Sequence, residues 1–553
     1  MSSIPARGSA GPPTSSSGSR LARSAGVIGL ATMASRLLGL AREQVLAFYF
    51  GAGNAMDAFN IAFRIPNLLR DLFAEGAMSA AFVPTFTQQL QNGKPRAWQL
   101  GNHVVNALLA VTIPLVVLGM VFADPLVRLY AEDYAAVRGK LELTILLTRI
   151  MLPFLTLVAL AAAFMGMLNA LRHFFVPALA PAMFNVGTIA SVLALVPVMR
   201  MAGLDPIAAA AVGALVGGAG QVLVQWPLLR REGFRYRPAL DTADPALRRV
   251  AALMGPGIVG LAAVQVNLFV NSVLATGEGT GAVSWLTFAF RIMYLPIGLF
   301  GVSIATAALP AVATHVARED LAELRREVSR GLRMMLMLNV PATFGLVALA
   351  APVVALLFER GRFTAADTTA TAAALVFYAP GLVGYSAVKL ASPVFYALRD
   401  SRTPVVVSVT TIALNVVLNV TLVRVMGYRG LALGTAIAAL ANAGTLFWLL
   451  RARLGGLEGA RTAAALGKIL LAAAAMAVSA WTIERAVAPM MPGAGTPARA
   501  IGVGLAIGGG LLVLALTAHL LDIAEFREAR RLVLSRFRRG GGPRPSPPGP
   551  SPS

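Results

Sequence analysis

The sequence predicts an all-α integral membrane protein with about 14 transmembrane helices, arranged as two six-helix parallel-repeat lobes plus a C-terminal helix pair. Composition, run length and an internal repeat carry that expectation. Of 553 residues, 57% are hydrophobic and only 13% charged, with a mean hydropathy of +0.72, whereas a soluble domain carries about 25% charged residues. A soluble globule could not fold that much apolar surface away, so lipid must be the solvent. Hydrocarbon leaves no partner for unpaired backbone groups, which restricts the chain to helices or a closed barrel. The apolar runs here approach or exceed the roughly 20 residues of a spanning helix, and the short alternating strands of a barrel are not seen.

In chain order, apolar segments fall near 25–50, 57–88, 103–123, 141–168, 176–199, 206–229, 250–276, 282–313, 334–358, 370–397, 404–424, 429–450, 464–483 and 500–521. An even count places both termini on one side. With the N-terminus in the cytoplasm, the cytoplasmic loops hold about three times as many Lys and Arg as the opposite loops. The richest are Arg230 to Arg249, Arg318 to Arg333 and Arg527 to Arg544. The net charge of +22 is therefore a topology signal with an attraction to anionic lipid, and no nucleic-acid partner is expected. Residues 1–22 (Ser, Gly, Pro and scattered Arg) read as a disordered cytoplasmic tail, and 526–553 as a basic, Pro/Gly-rich one. A signal peptide is excluded because Arg36 and Arg42 would interrupt its apolar core. The absence of cysteine rules out disulfides and thiolate metal sites.

The repeat lies at an offset of 227. AFRI at 62–65 recurs at 289–292, and ALR at 170–172, with Pro177 five residues on, recurs at 397–399 with Pro404 five residues on. LLR at 228–230 resembles LLR at 449–451 at a slightly shorter offset. Either match alone is at chance level; two at one offset are not. Spans 1–6 (residues 23–232) and 7–12 (233–455) thus read as parallel repeats, a common plan of secondary transporters. Spans 13 and 14 (456–525) lie outside the repeat.

Seven basic residues fall within spans: Arg36, Arg42, Arg64, Arg70, Arg149, Arg291 and Lys389. A charge at the bilayer centre costs roughly 2.5–3.5 kcal/mol, so each needs a partner or a wet cavity. Glu43, Asp57, Asp71 and Glu75 share the first two spans, and internal ion pairing is one reading of that set. The repeat offers another. Arg64 and Arg291 are equivalent by the offset of 227, and Arg291 has no acidic residue in its own span. Two such residues would line a cleft between lobes, and guanidinium matches phosphate oxygens bidentately, so phosphate or pyrophosphate is the first substrate class. Enzyme motifs are sparse: Gly467-Lys468 runs into Ile469 and is no nucleotide loop, and His103, His173, His315 and His519 are scattered. Asn419-Val420-Thr421 fits a glycosylation sequon but lies inside a span.

Residues 35–86 contain SRLLGLAR, GAG-x-x-x-DAF, PNLLR and FAEGA-x-S-x-AFVP, and residues 284–310 read SWLTFAFRIMYLPIGLFGVSIATAALP. These stretches resemble the MurJ (MviN) lipid II flippases of the multidrug/oligosaccharidyl-lipid/polysaccharide exporter superfamily. The resemblance implies a V-shaped two-lobe transporter in the bacterial cytoplasmic (inner) membrane. It would move undecaprenyl-pyrophosphate-linked peptidoglycan precursor (lipid II) to the outer leaflet by alternating access. By motif position, Arg36, Arg42, Asp57, Arg70 and Arg291 correspond to the essential cavity residues. Arg42 and Arg291 would contact pyrophosphate and headgroup, while Arg36, Asp57 and Arg70 would pair the lobes or the gate. No cofactor is expected, and coupling would be to membrane potential or a monovalent cation. Some members are thought to bind sodium through carboxylates between spans 7, 11 and 12; span 11 here offers Asn415 and Asn419 instead. The small-residue faces of spans 13 and 14, AALGKILLAAAAMAVSA and IGVGLAIGGGLLVLAL, suit either packing or a groove for the lipid tail. Partners besides lipid II and membrane lipids would be cell-wall synthesis or division proteins. Two alternatives remain: a MATE-like cation-coupled exporter or flippase for another polyprenyl-linked saccharide, and a membrane-embedded glycosyl- or acyltransferase, for which no clustered carboxylate or His motif is present.

Overall fold

A computed structural model of the chain describes residues 15–70, 77–490, 495–528 and 530–531. Twenty α-helices follow one another: α1 (Ser15–Phe50), α2 (Asn54–Arg70), α3 (Ala77–Gln91), α4 (Lys94–Val121), α5 (Ala123–Ala131), α6 (Lys140–Met151), α7 (Phe154–Ala170), α8 (Phe175–Met201), α9 (Ala208–Arg231), α10 (Pro245–Thr276), α11 (Ala282–Pro296), α12 (Val302–Ala317), α13 (Leu321–Ala348), α14 (Ala350–Phe358), α15 (Ala365–Tyr378), α16 (Gly381–Ala397), α17 (Arg402–Met426), α18 (Tyr428–Arg453), α19 (Gly459–Val487) and α20 (Thr496–Leu520). There is no strand among the described residues. The apolar segments fall on these helices, singly or on two consecutive ones. Nine described helical stretches are long and apolar enough to cross a membrane, and α15 with α16, bent by 43°, makes a tenth. Helix α1 begins at Ser15, inside the segment 1–22 read as a tail. Residues 1–14 lie outside the described residues.

Two helix breaks fall where the backbone loses a donor. Pro153 sits at the break between α6 and α7, and Pro380, 227 residues on, at the break between α15 and α16. The ends of α7 and α16 match as well. Arg172 and Arg399 adopt left-handed φ of 64° and 58°, and the N–H groups of His173 and Asp400 reach back to the carbonyls of Leu168 and Phe395 at 2.9 Å in each case. That is a Schellman ending built twice. Between α11 and α12 a short π-turn, Ile297–Gly301, takes the place of a continuous helix.

The chain forms two compact units, Met1–Thr280 and Gly281–Ser553, where the repeat placed the lobe boundary at 232/233. The difference is α10. It packs against α3 and α5 of the first unit and is tied there at several points. Thr276 donates to the Tyr130 carbonyl at 3.3 Å, Phe269 meets the Tyr130 ring edge-on at 4.7 Å, and Asp244 caps its first turn while binding His103 at 2.7 Å. The core of the first unit is aromatic, with Phe82, Phe86, Trp98, Phe164 and Phe234 packed around Met167. Helices α8 and α9 touch backbone to backbone, since a Cβ on Gly187 would lie 2.5 Å from the Gly217 backbone. Small residues permit that approach.

In the second unit, α19 packs on α13 and α20, and α20 on α14. Both ends of the pair are clamped by charge. Arg333 of α13, 4% exposed, donates to Glu525 beyond α20 at 2.8 Å and to Glu458 before α19 at 2.7 Å. At the opposite end Arg499 donates to Glu359 at 2.9 Å.

Candidate functional site

In the first unit, α1, α2 and α6 carry charge into the spans, and α10 offers polar partners to it. Arg42 is 7% and Glu43 3% exposed; they pair at 2.5 Å, with the Arg42 guanidinium 4.9 Å from the centre of the Phe184 ring. Adjacent residues on a helix do not face one another, so Arg42 must fold back to reach Glu43. Its Nε is buried with no hydrogen-bond partner among the described residues. A buried guanidinium N–H left open costs free energy unless a ligand supplies the acceptor.

Asp57, fully buried, accepts from Lys140 Nζ at 2.9 Å. The ammonium also lies 3.9 Å from the centre of the Tyr134 ring, a cation–π contact. Burial pushes the Tyr134 phenol well above its ordinary value; the Asp57 charge adds to the effect and Arg64 opposes it. Lys140 reads from sequence as a loop residue at a span boundary. Only the packing of α2 on α6 shows that it neutralises Asp57. Arg64 reaches α10, donating to the Ser272 hydroxyl and toward the Leu268 carbonyl. Arg36 is half-buried near the start of the described side chains. One residue before it, the Ser35 carbonyl accepts from Asn185 Nδ2 at 3.2 Å. Arg70 is half-buried at the end of α2. Asp71 and Glu75 lie outside the described residues.

In the second unit, Arg291 is exposed on α11. Asn415 and Asn419 are buried one turn apart on α17, and Asn419 Nδ2 donates to Asn415 Oδ1 at 3.2 Å. No group of three or more His, Asp or Glu side chains able to hold a metal occurs among the described residues. Arg149 is exposed and donates to the Met120 carbonyl at 3.2 Å. Two residues that anchor charge, Lys140 and Arg333, escaped the sequence reading because the apolar segments begin at 141 and 334, one residue after each, where a cation is the ordinary solvated case; Arg333 in fact lies within α13.

A protein-family model described as "Lipid II flippase MurJ" matches residues 46–495. A protein of Burkholderia cenocepacia named "Lipid II flippase MurJ" is 35% identical over 427 residues, covering 76% of this chain and 82% of that protein. A "Probable lipid II flippase MurJ" of Vibrio cholerae is 34% identical over 436 residues, covering 77% and 82%. Among solved structures, one titled "Lipid II flippase MurJ, inward closed conformation" superposes with a TM-score of 0.72 at 24% identity, covering 90% of this chain and 99% of that one. An inward-facing multidrug resistance MATE family transporter of the MOP superfamily superposes with a TM-score of 0.65 at 18% identity, covering 78% and 98%.

Proposed function

The chain belongs to the MurJ family of lipid II flippases, and from that premise we propose that it moves lipid II across the bilayer with Arg42 as a direct ligand of the pyrophosphate. It is a multi-pass membrane transporter and not an enzyme. One observation carries the role of Arg42. A guanidinium held in place by Glu43 and Phe184 keeps a buried N–H without an acceptor, and a phosphate oxygen supplies a charge-assisted one. Arg64 supports the site through α10, Arg291 serves headgroup contact in the second unit, and Arg36 and Arg70 serve the gate. Asp57 serves as the fixed counter-charge of Lys140.

The polyprenyl tail is accommodated along α19 and α20, whose small residues offer a shallow apolar face to lipid. Coupling is to the membrane potential or to a monovalent cation, for which the buried amides Asn415 and Asn419 of α17 offer neutral oxygens. The surplus of Lys and Arg on one set of loops supports cytoplasmic termini and the inner membrane as the location. Proteins of cell-wall synthesis or division are further partners in this reading. A MATE-like cation exporter shares the fold, but cationic drugs need an acidic cavity, and Lys140 cancels the charge of the buried Asp57. Reconstituted into vesicles, the protein should translocate fluorescently labelled lipid II, and Arg42→Ala should reduce the rate to the protein-free level. Unchanged translocation by Arg42→Ala would remove Arg42 from the substrate path.

A further inference from the structure

A second cationic constellation occupies the first unit and shares no residue with the one above. Between α9 and α10 the chain runs extended, and two asparagines one turn apart on α4 hold it. Asn102 donates to the Arg235 carbonyl at 3.1 Å and accepts from the Arg237 N–H at 2.8 Å. Asn106 donates to the carbonyls of Arg237 at 2.8 Å and Ala239 at 3.1 Å. Alternate residues of an extended segment point to the same side, and Arg235 and Arg237 both line a cavity of about 610 Å³ together with Trp98, Gln99, Asn102 and His103. That volume is in the range of small-molecule sites.

The walls are rigid. The Trp98 ring is packed between Phe86 at 5.7 Å and Phe234 at 5.5 Å. Pro95, in the first turn of α4, also lines the cavity, and that helix starts at Gly93 without a side-chain cap, so its first N–H groups add positive potential. The neighbouring carboxylates are already engaged. Asp244 accepts from His103 Nδ1 and from the Ala246 N–H, Glu232 accepts from His173 and Lys94, and Asp241 accepts from the Ala243 N–H. No carboxylate lies within ion-pair distance of Arg235 or Arg237 among the described residues. A cavity lined by two guanidiniums, beside a helix N-terminus and with no competing carboxylate among the described residues, suits a multivalent oxyanion.

We propose that this cavity binds a phosphate group, held bidentately by Arg235 and Arg237. The loop charge bias places it at the cytoplasmic membrane boundary, so the phosphate is carried either by an inner-leaflet lipid headgroup or by a soluble phosphate compound. The test uses the full-length protein in neutral detergent, with inorganic phosphate and dihexanoyl-phosphatidylglycerol as probes. Binding is read by thermal shift and by native mass spectrometry. Arg235→Gln/Arg237→Gln alters exposed side chains only and should keep the ligand-free unfolding temperature of the wild type. It should bind the responding probe at least about tenfold more weakly, while Arg235→Lys/Arg237→Lys falls between, since a point charge lacks the fork. A response to inorganic phosphate identifies a soluble phosphate as sufficient, whereas a response to the lipid alone identifies a headgroup site. Equal binding by wild type and the Gln double variant, or no response of the wild type to either probe, would overturn the proposal.

Discussion

Lys140 and Asp57 form an ion pair that is buried on both sides, and the cost of breaking it differs from the cost of replacing it. Removing one partner leaves an uncompensated charge and costs about 3–5 kcal/mol, whereas an apolar pair of similar volume is often neutral. Lys140→Met alone should therefore lower the unfolding temperature in detergent sharply. Asp57→Leu/Lys140→Met should recover most of the loss, and a double variant as unstable as the single would show that the pair is worth more than its charges. The arginines follow a different logic in the proposed function, where they contact the headgroup. Arg42→Ala and Arg291→Ala should abolish rescue of a flippase-depleted cell at normal expression, and Arg→Lys should rescue only in part because bidentate geometry is lost. Full rescue by Arg291→Ala would confine that residue to a structural part. The arginine positions were legible from sequence, since charge within a span is rare and visible. The identity of each partner was not, because Lys140 comes from a helix 83 residues away and looks like loop in one dimension.

Among the elements, the C-terminal pair α19–α20 shows how far composition carries. Its Ala/Gly/Leu faces permitted a packing role or a groove, and no loop residue announced the Arg333 node with Glu525 and Glu458 that fastens it to α13. Arg333→Met should loosen both helices, read as faster hydrogen exchange across 459–520 with the α1–α9 region unchanged. Truncation after residue 458 removes Glu525 and should abolish crosslinking to a photoactivatable polyprenyl substrate. A truncated chain that crosslinks as the full chain does would sink the groove assignment. The segment from α9 to α10 is stapled by Glu232, whose carboxyl is held below its usual value of 4.5 first by the His173 hydrogen bond and then by Lys94. A depressed carboxylate contributes stability above its unfolded value, and that contribution is lost as pH falls through the lower folded value. Backbone exchange at 232–244, corrected for intrinsic rate, should thus rise only on acidification below about pH 4.5, and Glu232→Gln should raise it at neutral pH. Asp400, held down by the Thr403 N–H and hydroxyl and then by Arg453, should behave likewise at the start of α17.

Over the whole molecule, the charge bias predicts the sidedness of every loop. Reporter fusions at 241 and 322 should read cytoplasmic, and fusions at 203 and 364 external; an external signal at 241 would overturn the topology. The two repeats share a frame but not a chemistry. The position equivalent to Lys140 is Asp367, which accepts from Trp285 Nε1 at 2.9 Å and caps α15. Where the first unit has Asp57 the second has Ser284, so the ion pair has no counterpart there, and Asp367 bonds the indole of the next residue. The repeated architecture has been kept where backbone geometry demands it, at Pro153 and Pro380 and at Arg172 and Arg399, while the side chains between helices have diverged.

The sequence by itself determined the solvent, the helical class, the positions of the apolar segments and the repeat. All of these follow from local composition and spacing, which lipid reads residue by residue. The family was legible too, in motifs contiguous along the chain. Only the tertiary structure decided that α10 packs with the first unit, that Asp57 belongs to Lys140, that Arg333 clamps the last two helices and that Arg235 and Arg237 share a cavity. Each of these depends on which faces of distant helices meet. In a chain whose spans are apolar on every side, the pattern of hydrophobicity no longer says which face turns inward, so small residues and buried charges decide it through contacts that a one-dimensional reading does not contain.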